Sequence, residues 1–183
     1  MENLAAFPAL AVADAAMSAA DSHARLLARL EACHGEAWAW ALTCAAFNRE
    51  AAEDALQEAC LKVLEGRARY GGLSSFRTWF FGVIRRTAQE HSRSLFGKRR
   101  ADVDLALVPV QGTAVAELQA SEDQRRVQDA MQRLPKRQQE TLSLVFGHGL
   151  TVEEAADVMG VSRGSAARHF ARGKERLRQW LTR

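Results

Sequence analysis

TVEEAADVMGVSRGSAARHFARGK, residues 151–174, is the stretch from which the fold can be read outward. Thr151 followed three residues later by Glu154 is a capping box, so the sequence predicts a helix beginning at Val152. Val152, Ala155, Ala156 and Met159 recur at three and four residues and define one buried face. Gly160 ends that helix, because glycine takes a left-handed backbone at little cost. Ser162 then caps a second helix almost at once. Its buried stripe is expected to be Ala166, Phe170, Leu177 and Trp180. Small Ala156 allows the two helices to cross closely, and a tight glycine turn between crossed helices is the helix-turn-helix arrangement. Arg163, Ser165, Arg168, His169 and Arg172 face outward from the second helix, all of them donors suited to phosphates and base edges. A helix pair that merely packs the edge of a bundle is the alternative; DNA binding explains the outward donors better.

Few Gly and Pro, many Ala and Leu, and no alternating Val/Ile run predict an all-α protein. The 183 residues carry a net charge of +3, but the charge is blocked along the chain. Residues 66–100 hold nine basic side chains and one acidic, residues 101–123 hold five acidic and none basic, and residues 124–183 hold twelve basic and six acidic. Two basic blocks around an acidic one suggest two places for a polyanion to dock. Cys33, Cys44 and Cys60 are odd in number and lack CxxC spacing, so they read as reduced thiols of a cytoplasmic protein rather than a disulfide framework or metal site. The five histidines are scattered, with no nucleophile–base pair or phosphate loop. The sequence therefore calls for no catalytic centre, metal, cofactor or small-molecule substrate.

In chain order, residues 1–21 read as an extension. A helix from about Ser22 to Cys33 is expected to be interrupted at Gly35, with another running to about Asn48. Glu50 to Glu65 is strongly amphipathic, with Ala52, Ala55, Leu56, Ala59, Cys60, Val63 and Leu64 on one face. Glu53, Asp54, Gln57 and Glu58 lie opposite. Asp54 and Glu58 repel at helical spacing, by about 0.2–0.5 kcal/mol in an isolated helix, so that face is either simply solvated or reserved for a basic partner. After Gly71-Gly72, the run SSFRTWFF (residues 74–81) interleaves aromatics with Arg77. Phe80 and Val83 are expected in the core. The others suit a platform for unpaired bases, and Arg85, Arg86, Gln89, His91 and Arg93 suit a duplex backbone. Residues 96–121 read as a flexible linker that lets two small helical domains, 22–95 and 122–183, move relative to each other.

This order of pieces resembles the group-four, or extracytoplasmic function (ECF), sigma factors of bacterial RNA polymerase. AAEDALQEACLKVL is similar to the family's region 2.2, SSFRTWFFGVIRRTAQEHSR to regions 2.3 and 2.4, and LPKRQQETLSLVFGHGLTVEEAADVMGVSRGSAARHFARGKERLR to region 4. The resemblance implies binding of core RNA polymerase through Glu53, Asp54, Gln57 and Glu58. It implies contact with the −10 promoter element through Phe76, Arg77, Trp79, Arg85, Arg86, Gln89, Glu90 and Arg93. It implies contact with the −35 element through Arg163, Gly164, Ser165, Arg168, His169 and Arg172. An anti-sigma factor is a further implied partner. Arg86 and Glu90 stand where the family usually has Asn and Asp, and Ser165 to His169 departs from its frequent Thr-Val-Lys-Ser-Arg. A conventional helix-turn-helix regulator with a sensing amino-terminal half is the competing function, although such a half has no need of the basic-aromatic block at 74–93.

Overall fold

The computed structural model describes residues 8–99 and 122–182, with side chains described for residues 23–93, 122 and 125–182. Helix α1 spans Pro8–Cys44, α2 Arg49–Leu64 and α3 Phe76–Arg99. After the undescribed residues come α4 (Glu122–Gln132), α5 (Lys136–Leu142), a π-helical turn (Ser143–Gly147), α6 (Val152–Met159) and α7 (Arg163–Leu181). The described residues contain helices and turns but no strand. None of these helices is long and apolar enough to cross a membrane.

Helix α1 runs unbroken through Gly35, which corrects the break expected there. One exposed glycine costs a helix interior only about 1 kcal/mol. Leu30, Cys33, Ala37, Trp40, Ala41 and Cys44 keep a continuous buried face on both sides of it, and that packing outweighs the glycine. Two left-handed residues, Ala46 (φ 53°) and Phe47 (φ 64°), then turn the chain. Asn48 opens α2 by accepting the Ala51 amide at 2.9 Å, and the buried Ala52, Ala55, Leu56, Ala59 and Val63 follow the predicted stripe.

Ser75 caps α3 through the Thr78 amide. Phe80, Phe81, Val83, Ile84, Thr87 and Ala88 are all buried, more than one helical face holds, because α3 packs on α1 and α2 on one side and on α6 on the other. Leu144, Leu150, Ala155, Val158 and Met159 therefore belong to the same apolar core as Trp40, Phe80, Phe81 and Ile84. The two halves of the chain share one core. Helix α3 continues to Arg99, into the stretch read as linker; residues 100–121 lie outside the described residues, as do residues 1–7 of the extension.

The helix-turn-helix forms as its local signals predict. Thr151 and Glu154 make the reciprocal capping box, Gly160 is left-handed (φ 62°), and Ser162 accepts the Ser165 amide at the start of α7. Of the expected stripe on α7, Ala166 is buried, Phe170 and Leu177 are half-buried, and Trp180 is exposed. Buried Gly173 lets α7 pack closely against Leu142 of α5.

Candidate nucleic-acid interface

Three surfaces carry the side chains singled out from the sequence. The first is the solvent face of α2, where Glu53, Asp54 and Gln57 are exposed and Glu58 is half-buried. Gln57 donates to Glu53 at 3.4 Å. Arg67, from the loop after α2, donates to Glu58 at 2.9 Å and also pairs with Glu65. The Arg67 bond holds the Glu58 carboxyl below its usual range, so that group stays ionised. Beside this acidic face an apolar groove is lined by Trp38, Leu56, Cys60 and exposed Leu61.

The second surface surrounds the start of α3. Tyr70, Phe76, Trp79 and Phe80 form a chain of ring contacts with centroids 5.4–6.0 Å apart. The Arg29 guanidinium lies over Tyr70 and Phe76 at 5.7 and 5.5 Å, a favourable charge–quadrupole contact. Next to this cluster an open cavity of about 570 Å³ is lined by Trp79, Arg86, Glu90, Arg67, Arg69 and Lys62. Glu90 accepts from Lys62 at 2.6 Å, and Lys62 also donates to Thr87.

The sequence-predicted residues of α3 do not converge on one spot. Trp79, Arg86 and Glu90 share the aromatic cavity, with Phe76 behind Trp79. Arg77 instead pairs with Glu36 of α1 at 2.8 Å. Arg85, Gln89 and Arg93 line a smaller hollow of about 270 Å³ together with Arg137 and Glu140 of α5. Arg85 donates to Glu140 at 3.0 and 3.2 Å and to the Met159 carbonyl at 2.9 Å. In its hydrogen-bonding orientation the Gln89 amide oxygen accepts from Arg85 as well. Sequence reasoning missed Lys62 and Tyr70 as neighbours of Trp79, and Arg29 as a neighbour of Tyr70 and Phe76. Only Tyr70 has a sequence signal, the arginine- and glycine-bearing loop between α2 and α3 in which it lies; Lys62 is on α2 and Arg29 on α1.

The third surface is the amino-terminal part of α7. Arg163, Gly164, Arg168 and Arg172 are exposed, and Ser165 and His169 are half-exposed. Arg168 donates to Ser165 at 3.3 Å and Ser162 donates to Ser165 at 3.0 Å, so the first turn is ordered before any ligand arrives. Partial burial, then Arg137, Arg168 and Arg172, hold the His169 imidazole below its usual value. A neutral imidazole offers one donor and one acceptor, which suits a base edge as well as a phosphate.

Known families match both halves in tandem. Sigma-70 region 2 matches residues 30–95 and Sigma-70, region 4 matches residues 124–177. The chain is 30% identical over 139 residues to the RNA polymerase sigma factor CarQ of Myxococcus xanthus, covering 73% of this chain and 76% of that one. It is 27% identical over 136 residues to the ECF RNA polymerase sigma factor EcfG of Rhodopseudomonas palustris (strain TIE-1), covering 71% of each. In fold it is similar to the sigma factor RpoE solved in complex with the anti-sigma factor NepR from Bartonella quintana. That likeness has a TM-score of 0.69 at 20% identity and covers 84% of this chain and 94% of the other.

Proposed function

This chain belongs to the sigma-70 family, in its extracytoplasmic function branch, and from that premise we propose a division of labour among its three surfaces. As an alternative sigma factor it binds core RNA polymerase and directs promoter recognition and initiation, and an anti-sigma factor is the partner that restrains it. It is a regulatory subunit. It supplies binding energy and no catalytic group or cofactor of its own, and it acts in the cytoplasm, where polymerase and promoters meet.

Residues 22–95 are the half that meets polymerase and the −10 element, and residues 122–183 the half that meets the −35 element. The ionised face of Glu53, Asp54, Gln57 and Glu58, beside its apolar groove, is the polymerase contact. The amino terminus of α7 enters a major groove, where Arg168 and His169 reach base edges. Arg163, Ser165 and Arg172 hold the backbone, and Gly164, with no side chain, lets that backbone come close.

The observation that carries the −10 assignment is the open cavity in which the Trp79 ring meets Arg69 and Arg86. It offers a stacking surface and two cations for the flanking phosphates. Unstacking a base costs a few kcal/mol and aromatic stacking returns about 1–3 kcal/mol per base. A promoter strand is thus captured with little net cost once duplex contacts are made. The test is Trp79→Ala against a forked probe and a fully paired one. Affinity for the unpaired strand should fall by about 1–3 kcal/mol while duplex affinity is nearly unchanged; equal losses on both probes would refute base capture by this cavity.

A further inference from the structure

Glu90 and Asp157 line a cavity that Lys62, Arg67, Arg69 and Arg86 otherwise make basic, and of the two carboxylates Glu90 is the one held by a cavity cation. That cation comes from another helix. Lys62, in the last turn of α2, donates to Glu90 Oε2 at 2.6 Å and to the Thr87 hydroxyl oxygen at 3.1 Å. Thr87 and Glu90 are three residues apart on α3 and so share one face of it. The Lys62 ammonium therefore bridges α2 to two positions of α3 that line the cavity. Thr87 is buried and gives the bridge a fixed end. The Lys62 side chain is 19% exposed and that of Glu90 50% exposed, so a packed cation holds a carboxylate that is open to solvent. Glu90 pairs with Lys62 and not with Arg86, although Arg86 stands one turn earlier on α3 and lines the same cavity. Oε2 is thus occupied, while Oε1 accepts no hydrogen bond from the described residues.

We propose that Lys62 is a positioning residue for promoter specificity: it holds Glu90 so that Oε1 selects a captured base carrying an exocyclic amine, cytosine or adenine. The proposal rests on the reading of the Trp79 cavity as the −10 strand site. An ionised carboxylate can only accept hydrogen bonds. It takes one from the N4 amine of cytosine, and the N6 amine of adenine presents the same group. Thymine has a carbonyl oxygen where cytosine has its amine, and two acceptors repel. A carboxylate left alone in this cavity would repel the DNA backbone, or fold onto Arg86 and withdraw that cation from a phosphate. Lys62 prevents both outcomes. Its charge compensates that of Glu90, and its bond to Thr87 fixes where the pair sits. Lys62 itself need not touch DNA; it acts through Glu90. Glu90 is one methylene longer than the Asp usual in the family, which gives its carboxylate a longer reach from α3.

The test uses the full chain and fluorescein-labelled forked oligonucleotides, with binding read by anisotropy. Each unpaired position is filled in turn with cytosine, with 2-pyrimidinone (cytosine without its amine) or with thymine, and likewise with adenine or purine. At one position the amine-bearing base should bind more tightly by roughly tenfold, the worth of a hydrogen bond to a charged group. Lys62→Met should erase most of that preference, and Lys62→Arg, which keeps the charge and the donors, should restore it. Glu90→Met should erase it too. The double variant should lose no more than either single one, because the two side chains act as a unit. The preference is a ratio between probes for one variant, so any loss of folded protein cancels from it. A parent chain that shows no preference for the amine at any unpaired position overturns the proposal without recourse to a variant. So does a Lys62→Met protein that keeps the parent's preference, and so do additive losses in the double variant. Trp79→Ala separates the premises. If it weakens binding to every forked probe while the amine preference is absent, the −10 cavity stands and the role of Lys62 and Glu90 is refuted. If it is silent, the cavity reading is refuted and the proposal falls with it.

Discussion

Gly173 sits in the middle of α7, where an alanine is ordinarily the better residue by about 1 kcal/mol. At this position the added methyl group meets a closed wall. A β-carbon there lies 2.8 Å from Leu142 Cδ1, 3.2 Å from Leu142 Cγ and 3.3 Å from Gln138 Cβ. Leu142 is fully buried, so it has no free rotamer to move into, and α7 has to retreat from α5 by several tenths of an ångström. Overpacking of this kind costs about 1–3 kcal/mol, which exceeds the helix-propensity gain and leaves Gly173→Ala destabilised by about 1 kcal/mol. Gly35 provides the contrast. It lies in the interior of α1 with nothing within 4 Å of its would-be β-carbon, so Gly35→Ala should be stabilising by up to about 1 kcal/mol. For a chain of this size each change corresponds to about 2–4 °C in Tm, in opposite directions. Differential scanning calorimetry on the two variants and the parent reads both. Parallel increases in Tm would refute the claim that contact with Leu142, rather than backbone conformation, decides the glycine at 173.

Ala46 has φ 53° and is exposed; Ala46→Gly should stabilise the α1–α2 turn by up to about 1–2 kcal/mol, read as a higher urea midpoint with unchanged slope. His148 lies edge-on to Trp40 and Phe81 with centroids 6.0 and 5.0 Å away. Burial first, and Arg77 second, hold its imidazole below the usual value of 6.5, with Glu36 pulling the other way. The neutral form is favoured in the folded chain, so the contribution of His148 is complete above pH 6.5. It is lost as pH falls from there through the lowered value, at a rate of at most about 1.4 kcal/mol per pH unit. Acidification from pH 7 to pH 5 should therefore lower the stability of the fold, seen as a lower urea midpoint by tryptophan fluorescence, and His148→Phe should reduce the dependence. Arg168→Ala should lose about 1–3 kcal/mol at one promoter position if the guanidinium reads a base, measured across a set of single-base variants. A uniform loss with the salt slope reduced by about one unit assigns Arg168 to a phosphate instead.

What was legible in the sequence was local. The capping box of Thr151 and Glu154, the left-handed Gly160 and the Ser162 cap each act within four residues, so the helix-turn-helix emerges with its boundaries intact. The stripe of α2 was legible for the same reason: its period is a property of one helix packed on one side. Helix α3 is packed on two sides, and buried Phe80 and Phe81 in succession have no single-face periodicity to report. Gly35 misled because one glycine's backbone cost is smaller than the burial on either side of it. The charged partners were the least legible. Arg77 with Glu36, Lys62 with Glu90 and Arg85 with Glu140 are separated by 41, 28 and 55 residues. Nothing in the spacing of a long arginine side chain reveals whether it awaits a phosphate or already holds a carboxylate.

As an alternative sigma factor, this chain lends promoter specificity to core RNA polymerase. Reconstitution of the purified protein with core polymerase, followed by run-off transcription on genomic fragments, tests it most directly. The protein should co-elute with the core enzyme and yield discrete transcripts that require its addition. Reversing Asp54 and Glu58 to Lys should weaken co-elution and reduce the transcripts while helical content is kept. A protein that binds the same fragments as a free dimer, neither joins core polymerase nor starts a transcript, would contradict it.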